Sequence, residues 1–287
     1  MFTSPPLAAM RVSPPIFTLP APALMLTLPM FVYLIGYLFN HVPGLIPTGF
    51  IMHDNVGYIA YARQYLDSES FNLFYNNPFN ESGNYPAIYF QPHTLFFSAL
   101  MALEVPAAFI LIPFMLICSF LFFRVMIMLH DLLLPFAAKR WLSILLFAWG
   151  GGLLAIAGIP AALLKPEPGL DFFENIFILD PGWGWWALNA GRALFIGCEA
   201  FYHLLFFAVI LMILKKKWKA AFLISVLVSV SHPFTGIELL AIICAWTFLE
   251  KLAFKNSSVP WWFLIASVLL IALHAWYYLV YLNQFAD

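Results

Sequence analysis

The sequence predicts an all-α protein, a polytopic bundle of about seven transmembrane helices, and three observations support this fold class. The 287-residue chain is 63% hydrophobic and 9% charged, whereas soluble domains carry about 25% charged residues. Its apolar residues fall into six long runs, each close to or beyond the roughly 20 residues that a spanning helix needs. Basic and acidic residues are segregated into different connections between these runs.

Each run is long enough to be considered as a membrane segment. The runs are 21–39, 94–123, 141–164, 193–214, 220–249 and 259–282. The first follows Arg11 and is not followed by a small-residue cleavage site, so we expect an uncleaved signal anchor. Two of the runs, the second and the fifth, exceed what one straight crossing requires and contain prolines and glutamates that interrupt them.

The basic residues predict the topology, because lysine and arginine concentrate in short cytoplasmic loops. Ten of the thirteen basic residues, including "KKKWK" at 215–219, lie in connections that would share the inner side. The facing loops, 43–93 and 165–190, are rich in acidic residues instead. This arrangement predicts that 94–123 crosses an odd number of times, most simply as one long kinked helix. It also predicts that 220–249 enters and returns, with "SHPFTG" turning inside the outer half of the membrane.

We therefore expect a single transmembrane domain over residues 1–287, with functional groups in its two outer loops. Loops as long as 43–93 and 165–190 are usually functional or disordered. The net charge of −1 gives no indication of nucleic-acid binding, and we expect membrane lipid rather than nucleic acid as a partner.

The stretch "HDNVGYIAYARQYLD" in the first outer loop predicts an interfacial helix with a tyrosine-rich face. Tyr58 and Tyr61 follow Asp54 by one and two helical turns, so the three residues share a face. In one interpretation the tyrosines anchor the helix at the membrane surface, and Asp54 interacts with the helix dipole. In the other, Asp54 is a general base facing an active-site cavity, and the two tyrosines line the substrate site.

A second group of candidate residues follows the second outer loop, in "DPGWGWWALNAGRALFIGCEAFYH". Arg192, Glu199 and His203 fall close to one helical face, and ionisable groups at membrane depth usually face a bundle interior. They form either a network that only holds helices together or a substrate site in which Arg192 binds a lipid-linked phosphate. Trp185 and its neighbouring tryptophans belong either to an interfacial aromatic belt or to a sugar-stacking surface.

His232 precedes Pro233 at the predicted turn of 220–249. Backbone carbonyls freed by such a break are tolerated only inside protein or beside water. His232 is therefore either a structural residue with its polar atoms paired or part of a polar substrate pocket.

The order of these features resembles the GT-C superfamily of membrane glycosyltransferases. A first helix, a long outer loop with an early aspartate and amphipathic helix, and a "QP" start to the next helix occur in this order. The resemblance implies a seven-helix module that transfers sugar from a polyprenyl-phosphate donor to an acceptor hydroxyl at the outer face. It places the catalytic acidic residue at Asp54 and allows a divalent metal, which some members use.

The stretches "PGWGWWALNAGRALF" and "SHPFTG" resemble bacterial members, which implies a multi-pass protein of the bacterial inner membrane with its long loops outside. Two features depart from the family pattern. Asn55 follows Asp54 where many members pair two acidic residues, and the chain ends where such enzymes usually continue. These departures suggest a minimal member, or a truncated or inactive one.

Two other classes fit the same residues. A transporter or lipid flippase would line its pathway with the buried charges, and transporter sites use broken helices such as 220–249. A non-catalytic GT-C-like subunit or fragment would use the module only to bind a lipid.

Overall fold

Helices account for 82% of the residues that the computed structural model describes. The described residues are 20–39, 53–67, 73–79, 86–149, 160, 163–164, 166–169, 197–254 and 258–285, with backbone alone at 32–34, 36–39, 53 and 54. Within these ranges the extended structure is limited to an isolated antiparallel bridge between Tyr75 and Tyr89. The predicted all-α fold class is confirmed for this part of the chain.

Nine principal helices are described. They are α1 (Pro20–Phe39), α2 (His53–Asp67), α3 (Pro92–Ala102), α4 (Ala107–Leu133), α5 (Arg140–Trp149), α6 (Gly197–Leu214), α7 (Trp218–Ser231), α8 (Pro233–Phe248) and α9 (Trp261–Trp276). Helix α8 continues into a π-helical turn at Leu249–Ala253, and α9 continues through Tyr277–Tyr281 to Leu282–Phe285.

Three of the described helices are long and apolar enough to cross a membrane. They are Ala107–Leu133, Gly197–Leu214 and the continuous stretch Trp261–Phe285. Shorter apolar helices lie at Pro20–Phe31, Arg140–Trp149 and Trp218–Ser231. The chain is therefore a membrane protein with several apolar helices, as its composition predicts.

The prediction that 94–123 forms one kinked helix is wrong, because the chain forms two helices there. Helix α3 ends at Ala102, and Glu104, two residues later, has a φ of +61°. The Glu104 N–H donates to the Met101 carbonyl (2.9 Å) and the Val105 N–H to the Leu100 carbonyl (3.2 Å), which closes the end of the helix. Pro106 then caps α4, while Pro113 lies inside α4 without ending it.

Helices α4 and α6 run in the same direction and form the centre of the bundle. The rings of Phe114 and Phe201 are 5.5 Å apart, and further along both helices those of Phe122 and Phe207 are 5.7 Å apart. Helix α1 packs against α4. Buried apolar side chains from α1, α4, α5 and α6 make up the main core, and burial of such surface is the dominant favourable contribution to folding.

Helices α7 and α8 pack side by side and run in opposite directions, so the chain turns back at "SHPFTG", as the sequence predicts. Trp218 and Trp246 stack at one end of the pair, with ring centroids 6.3 Å apart. At the other end the helices approach closely at Gly236, where a Cβ would lie 2.7 Å from the Ser229 Cα. With 14 and 16 residues, they extend about 21 and 24 Å. Each is therefore shorter than the roughly 30 Å hydrocarbon core of a bilayer.

The turn from α4 to α5 is held by a group that we name the charged clamp: His130, Asp131, Arg140 and Ser143. Arg140 donates to both oxygens of Asp131, from Nε at 3.2 Å and from Nη2 at 2.8 Å. Fully buried His130 contacts Asp131 Oδ1 through Nδ1 (3.2 Å) and Ser143 Oγ through Nε2 (2.8 Å). The clamp fixes the return of the chain at this end of the bundle.

Candidate functional site

Four elements meet at the end of the bundle opposite the clamp, in a group that we name the aromatic–histidine cluster. Its members are Tyr58 of α2, His93 of α3, Tyr202 of α6, and His232 at the turn between α7 and α8. The Tyr58 ring lies 5.5 Å from His93 and 6.5 Å from Tyr202, and the His93 and Tyr202 rings are 5.4 Å apart. The His232 ring lies 4.5 Å from the Tyr202 ring, so the other three side chains surround Tyr202.

Helix α2 directs its tyrosine face toward the bundle, as the sequence spacing predicts. Ala62 and Tyr65 are buried, whereas Val56 is 46% exposed. This alternation follows from the 3.6-residue period of the helix. Because α2 packs on α3, its face presents Tyr58 to His93 rather than to solvent.

Tyr61 faces the loop that follows α2 instead of the cluster centre. Its ring stacks on Tyr75 at 5.2 Å, and Phe79 lies edge-on at 5.9 Å. Tyr75 pairs through its backbone with Tyr89 (2.8 and 3.1 Å). Burial, reinforced by neighbouring Tyr61 and Tyr65, raises the pKa of Tyr75 above its ordinary value, so this tyrosine stays protonated.

His93 and Tyr202 form a buried hydrogen bond across the two helices. The Tyr202 hydroxyl and the His93 Nε2 are 3.0 Å apart, and Tyr202 is fully buried while His93 is 3% exposed. Burial, with His232 nearby, lowers the pKa of His93 well below its ordinary value. His93 is therefore neutral, and its buried Nδ1 has no hydrogen-bond partner among the described residues.

His232 caps α8 and stacks on Tyr202. Its Nδ1 accepts from the main-chain N–H of Thr235 (3.3 Å) and lies 2.8 Å from the Thr235 hydroxyl. A neutral imidazole that accepts at Nδ1 carries its proton at Nε2. The His232 and Tyr202 rings are stacked with centroids 4.5 Å apart, so the cap also sets the position of a potential donor beside Tyr202.

Helix α9 braces this turn from outside. His274 Nε2 lies 3.1 Å from the Pro233 carbonyl and donates to it. Three residues later, the Tyr277 hydroxyl donates to the Ile88 carbonyl in the segment that leads to His93. Two sides of the cluster, the turn and the loop segment, are therefore held by one helix.

Glu199 and His203 lie near the cluster on α6. The His203 Nδ1 donates to the main-chain carbonyl of Glu199 at 2.8 Å. The His203 ring lies 6.4 Å from the Phe122 ring. Glu199 is buried, with 7% exposure, one helical turn before Tyr202 and His203. Glu238, which follows the turn, lies on an exposed face of α8.

The remaining predicted site residues are only partly described. Asp54 lies in the first turn of α2, one turn before Tyr58, and its side chain is outside the described part of the chain. Trp185 and Arg192 also lie outside the described residues. Their predicted roles stay predictions.

The site region contains buried polar atoms that lack hydrogen-bond partners among the described residues. They are the Asn55 Oδ1, the Gln91 Oε1 and the His93 Nδ1. Buried amide oxygens without a donor are costly, and such groups in folded proteins usually bind water or a ligand. Asn55 lies three residues before Tyr58, and Gln91 lies two residues before His93. Their two acceptor oxygens suit a ligand or water that supplies O–H or N–H groups.

The described residues contain no set of side chains arranged to bind a metal ion. No group of three or more His, Cys, Asp or Glu side chains is placed there to hold an ion. The divalent metal allowed by the family resemblance stays a prediction.

Two residues of the cluster were not predicted from the sequence. His93 directly follows the "QP" pair that marks the start of α3, and Tyr202 directly precedes His203 in a stretch already considered for function. Their hydrogen bond joins positions 109 residues apart, so no local pattern indicates it. The signal available in the sequence was a histidine at the first turn of an apolar helix.

In comparisons with models of protein families, with characterised proteins and with solved structures, nothing matches this chain.

Proposed function

We propose that this protein is a membrane glycosyltransferase of the GT-C type that moves a sugar from a polyprenyl-phosphate donor to an acceptor hydroxyl. The proposed architecture is a seven-pass bundle in a bacterial inner membrane, with loops 43–93 and 165–190 outside. The lysine-rich turn 215–217 lies at the end of the bundle opposite α2, and this arrangement supports the proposed orientation. Lysine-rich turns favour the cytoplasmic side.

The observation that carries the proposal is the position of Asp54 relative to the aromatic–histidine cluster. Asp54 lies in the first turn of the helix whose next turn presents Tyr58 to His93 and Tyr202. An aspartate at this backbone position shares a helical face with Tyr58. A water-borne acceptor and a membrane-borne donor would meet at this place, where α2 packs against α3.

The proposed reaction is a single inverting displacement. The Asp54 carboxylate accepts the proton of the acceptor hydroxyl as its oxygen attacks the anomeric carbon of the donor sugar. The bond from that carbon to the phosphate oxygen breaks, and the polyprenyl phosphate leaves with the electron pair. Arg192 would stabilise the leaving phosphate as a bidentate cation.

The residues of the cluster have supporting roles in this proposal. His232, with its proton at Nε2, supplies a hydrogen-bond donor suited to a phosphate oxygen. Glu199 and His203, deeper along α6, complete the polar lining. Tyr58, Tyr61 and Trp185 provide aromatic surface for sugar rings.

The test is sugar transfer by the purified protein with Asp54→Asn. A general base typically contributes about 10²–10⁴-fold to rate, so this variant should lose at least about a hundredfold in turnover while folding and binding donor normally. The matched control is Asp67→Asn at the other end of α2, where Asp67 forms an exposed pair with Arg63 (3.0 Å). It should keep its activity.

Two results count against the proposal. If Asp54→Asn retains near-full transfer, Asp54 is not the base, and the interfacial-anchor interpretation of α2 stands. If the wild type transfers no sugar from any lipid-phosphate donor, the catalytic proposal as a whole is lost.

A transporter or flippase is the second candidate, and the break between α7 and α8 is the observation that favours it. Broken helices with a polar residue at the break are common at transporter sites, and His232 occupies such a place. Proteoliposomes distinguish the two: a flippase moves labelled lipid-linked sugar between leaflets without any acceptor. A non-catalytic subunit would bind the donor lipid but would neither transfer nor move it.

A further inference from the structure

The turn between α6 and α7 places several lysines together at the end of the bundle opposite the cluster. Only Lys215, Lys216 and Lys217 separate the two helices, and Lys219 follows in the first turn of α7. Lys216, Lys217 and Lys219 are exposed. Among the described residues, no salt bridge reaches any of these four side chains.

Lys216 occupies a backbone conformation that normally takes glycine. Its φ is +57°. Its N–H donates to the Ile213 carbonyl and the Lys217 N–H donates to the Met212 carbonyl, both at 2.8 Å. This is the hydrogen-bond pattern of a Schellman helix end, in which the residue at positive φ is usually glycine because a Cβ is unfavourable there. The sequence therefore retains a lysine where glycine would be more stable.

The lysines are also close enough to repel one another. Burial, together with neighbouring Lys217, lowers the pKa of Lys215. A cation interacts favourably with the C-terminus of α6, but this interaction is screened and falls off within one turn. It therefore offsets the repulsion between the lysines only partly. An anion bound at the turn would relieve the repulsion.

Tryptophans surround the same turn. Trp218 packs on Phe263 at 5.2 Å, which places the start of α9 beside the lysines. There Trp261 is 55% exposed and Trp262 43% exposed, and the Lys251 Nζ lies 5.2 Å from the Trp261 ring centre. Tryptophan is favoured at the level of lipid headgroups. Glu250, next to Lys251, is the acidic neighbour on this side.

We infer that these residues form a binding site for the phosphate headgroup of an anionic phospholipid, a function separate from the proposed sugar transfer. The site, which we name the basic–aromatic surface, comprises the lysines at 215–217, Lys219, Lys251, Trp261 and Trp262. The lysines bind the phosphodiester and the tryptophans lie along the glycerol and upper acyl chains. Charge complementarity selects an anionic headgroup over a zwitterionic one, and the adjacent exposed tryptophans select a lipid over a soluble phosphate.

The test uses the full-length chain in detergent micelles, titrated with phosphatidylglycerol or with phosphatidylcholine of the same acyl chains. Bound lipid is counted by native mass spectrometry, and the melting temperature is followed in parallel. Phosphatidylglycerol should bind and stabilise, and phosphatidylcholine should not. Glycerol 1-phosphate at the same concentration should have no effect. Equal stabilisation by glycerol 1-phosphate would overturn the assignment to a lipid.

Lys216→Gly separates binding from stability because its two effects have opposite signs. Without lipid it should melt a few degrees higher, since glycine suits the positive φ. Its affinity for phosphatidylglycerol should fall about fivefold, the fold-change for one lysine at an anionic surface. Lys216→Gln, which keeps a polar side chain only one atom shorter and loses the charge, should weaken binding to the same extent.

Two control variants isolate charge and conformation. Glu104→Gly relieves the same positive φ at the end of α3 and should melt higher without changing phosphatidylglycerol affinity. Lys139→Gln removes an exposed lysine from the turn before α5 and should also leave affinity unchanged. Equal affinities in wild type, Lys216→Gly and Lys216→Gln would overturn the inference and leave the turn as a solvated basic connection.

Discussion

The charged clamp and the aromatic–histidine cluster are both polar groups packed between helices, but they differ in how completely their atoms are paired. In the clamp, both ring nitrogens of His130 and both oxygens of Asp131 have partners. In the cluster, His93 bonds through one nitrogen to Tyr202, and its other nitrogen has no partner among the described residues.

The two regions also differ in how they are assembled. The clamp joins residues of two neighbouring helices connected by a short turn, whereas the cluster brings together α2, α3, α6 and the α7–α8 turn. A fully paired local group stabilises a fold. A group drawn from distant segments, with polar atoms left unpaired, is more typical of a binding site. Burial of polar groups alone therefore does not indicate function, and the completeness of their hydrogen bonding distinguishes the two regions.

The largest expected effect comes from adding a methyl group at Gly236, where α7 and α8 approach closely beside the cluster. In Gly236→Ala the new Cβ would lie 2.7 Å from the Ser229 Cα, so the helices must separate. Overpacking of this kind costs about 1–3 kcal/mol. Thermal unfolding of the purified protein should show this loss, and sugar transfer should fall because the turn that carries His232 moves.

Gly57→Ala in α2 is the matched control for that variant. Apart from the adjacent residues and the backbone of α2 itself, no atom of the described residues lies within 4 Å of the position of its Cβ. Alanine favours a helix over glycine by about 0.5–1 kcal/mol. It should stabilise the protein. If Gly236→Ala melts at the wild-type temperature, the pair of helices is not rigid at the cluster.

An intermediate effect is expected for Asp131→Asn in the clamp. It removes the charge that binds Arg140 and weakens the contact with buried His130. Because the side chains of Asp131 and Arg140 are 31% and 44% exposed, solvent screening limits the loss to about 1–2 kcal/mol. Unfolding measurements should detect this loss while sugar transfer per folded molecule is unchanged. A fall in the proposed sugar transfer would show that the clamp is functional, and the distinction between a structural clamp and a functional cluster would be wrong.

The smallest effect is expected for Tyr202→Phe, which removes the hydroxyl bonded to His93. The loss of one hydrogen bond to a buried, neutral imidazole should cost about 1 kcal/mol. A double-mutant cycle with His93→Leu should give a coupling free energy of about 1 kcal/mol. Transfer should fall more than stability does, in contrast with the clamp. Additive effects of the two substitutions would mean that this hydrogen bond contributes nothing.

Much of the fold could be predicted from apolar runs and their interruptions. The runs 193–214 and 259–282 correspond closely to α6 and α9, and the "SHPFTG" break marks the junction of α7 and α8. The region 94–123 could not be assigned correctly, because a proline signals either a kink or a helix start. The positive φ at Glu104, which decides between them, has no residue-type signature since glycine is absent there.

The candidate site was predictable where helical periodicity applies and not beyond. The inward face with Tyr58 follows from spacing within α2, and His232 follows from its place at a helix break. His93 and Tyr202 meet only because α3 and α6 are brought together in the bundle, and long-range contacts leave no local pattern. The cluster's centre is therefore a product of tertiary packing.

The brace from α9 has a consequence for the order in which the protein is made. Tyr277 follows the residue whose carbonyl it contacts, Ile88, by 189 positions, and a ribosome adds roughly 5–20 residues per second. The loop segment beside His93 therefore waits roughly 10–40 s for its partner. Helices α2 and α3 come first, α6 adds Tyr202, and the α7–α8 turn adds His232. Because the brace is the last of these segments to be synthesised, the end of the bundle that holds the cluster is completed only after α9 has been made.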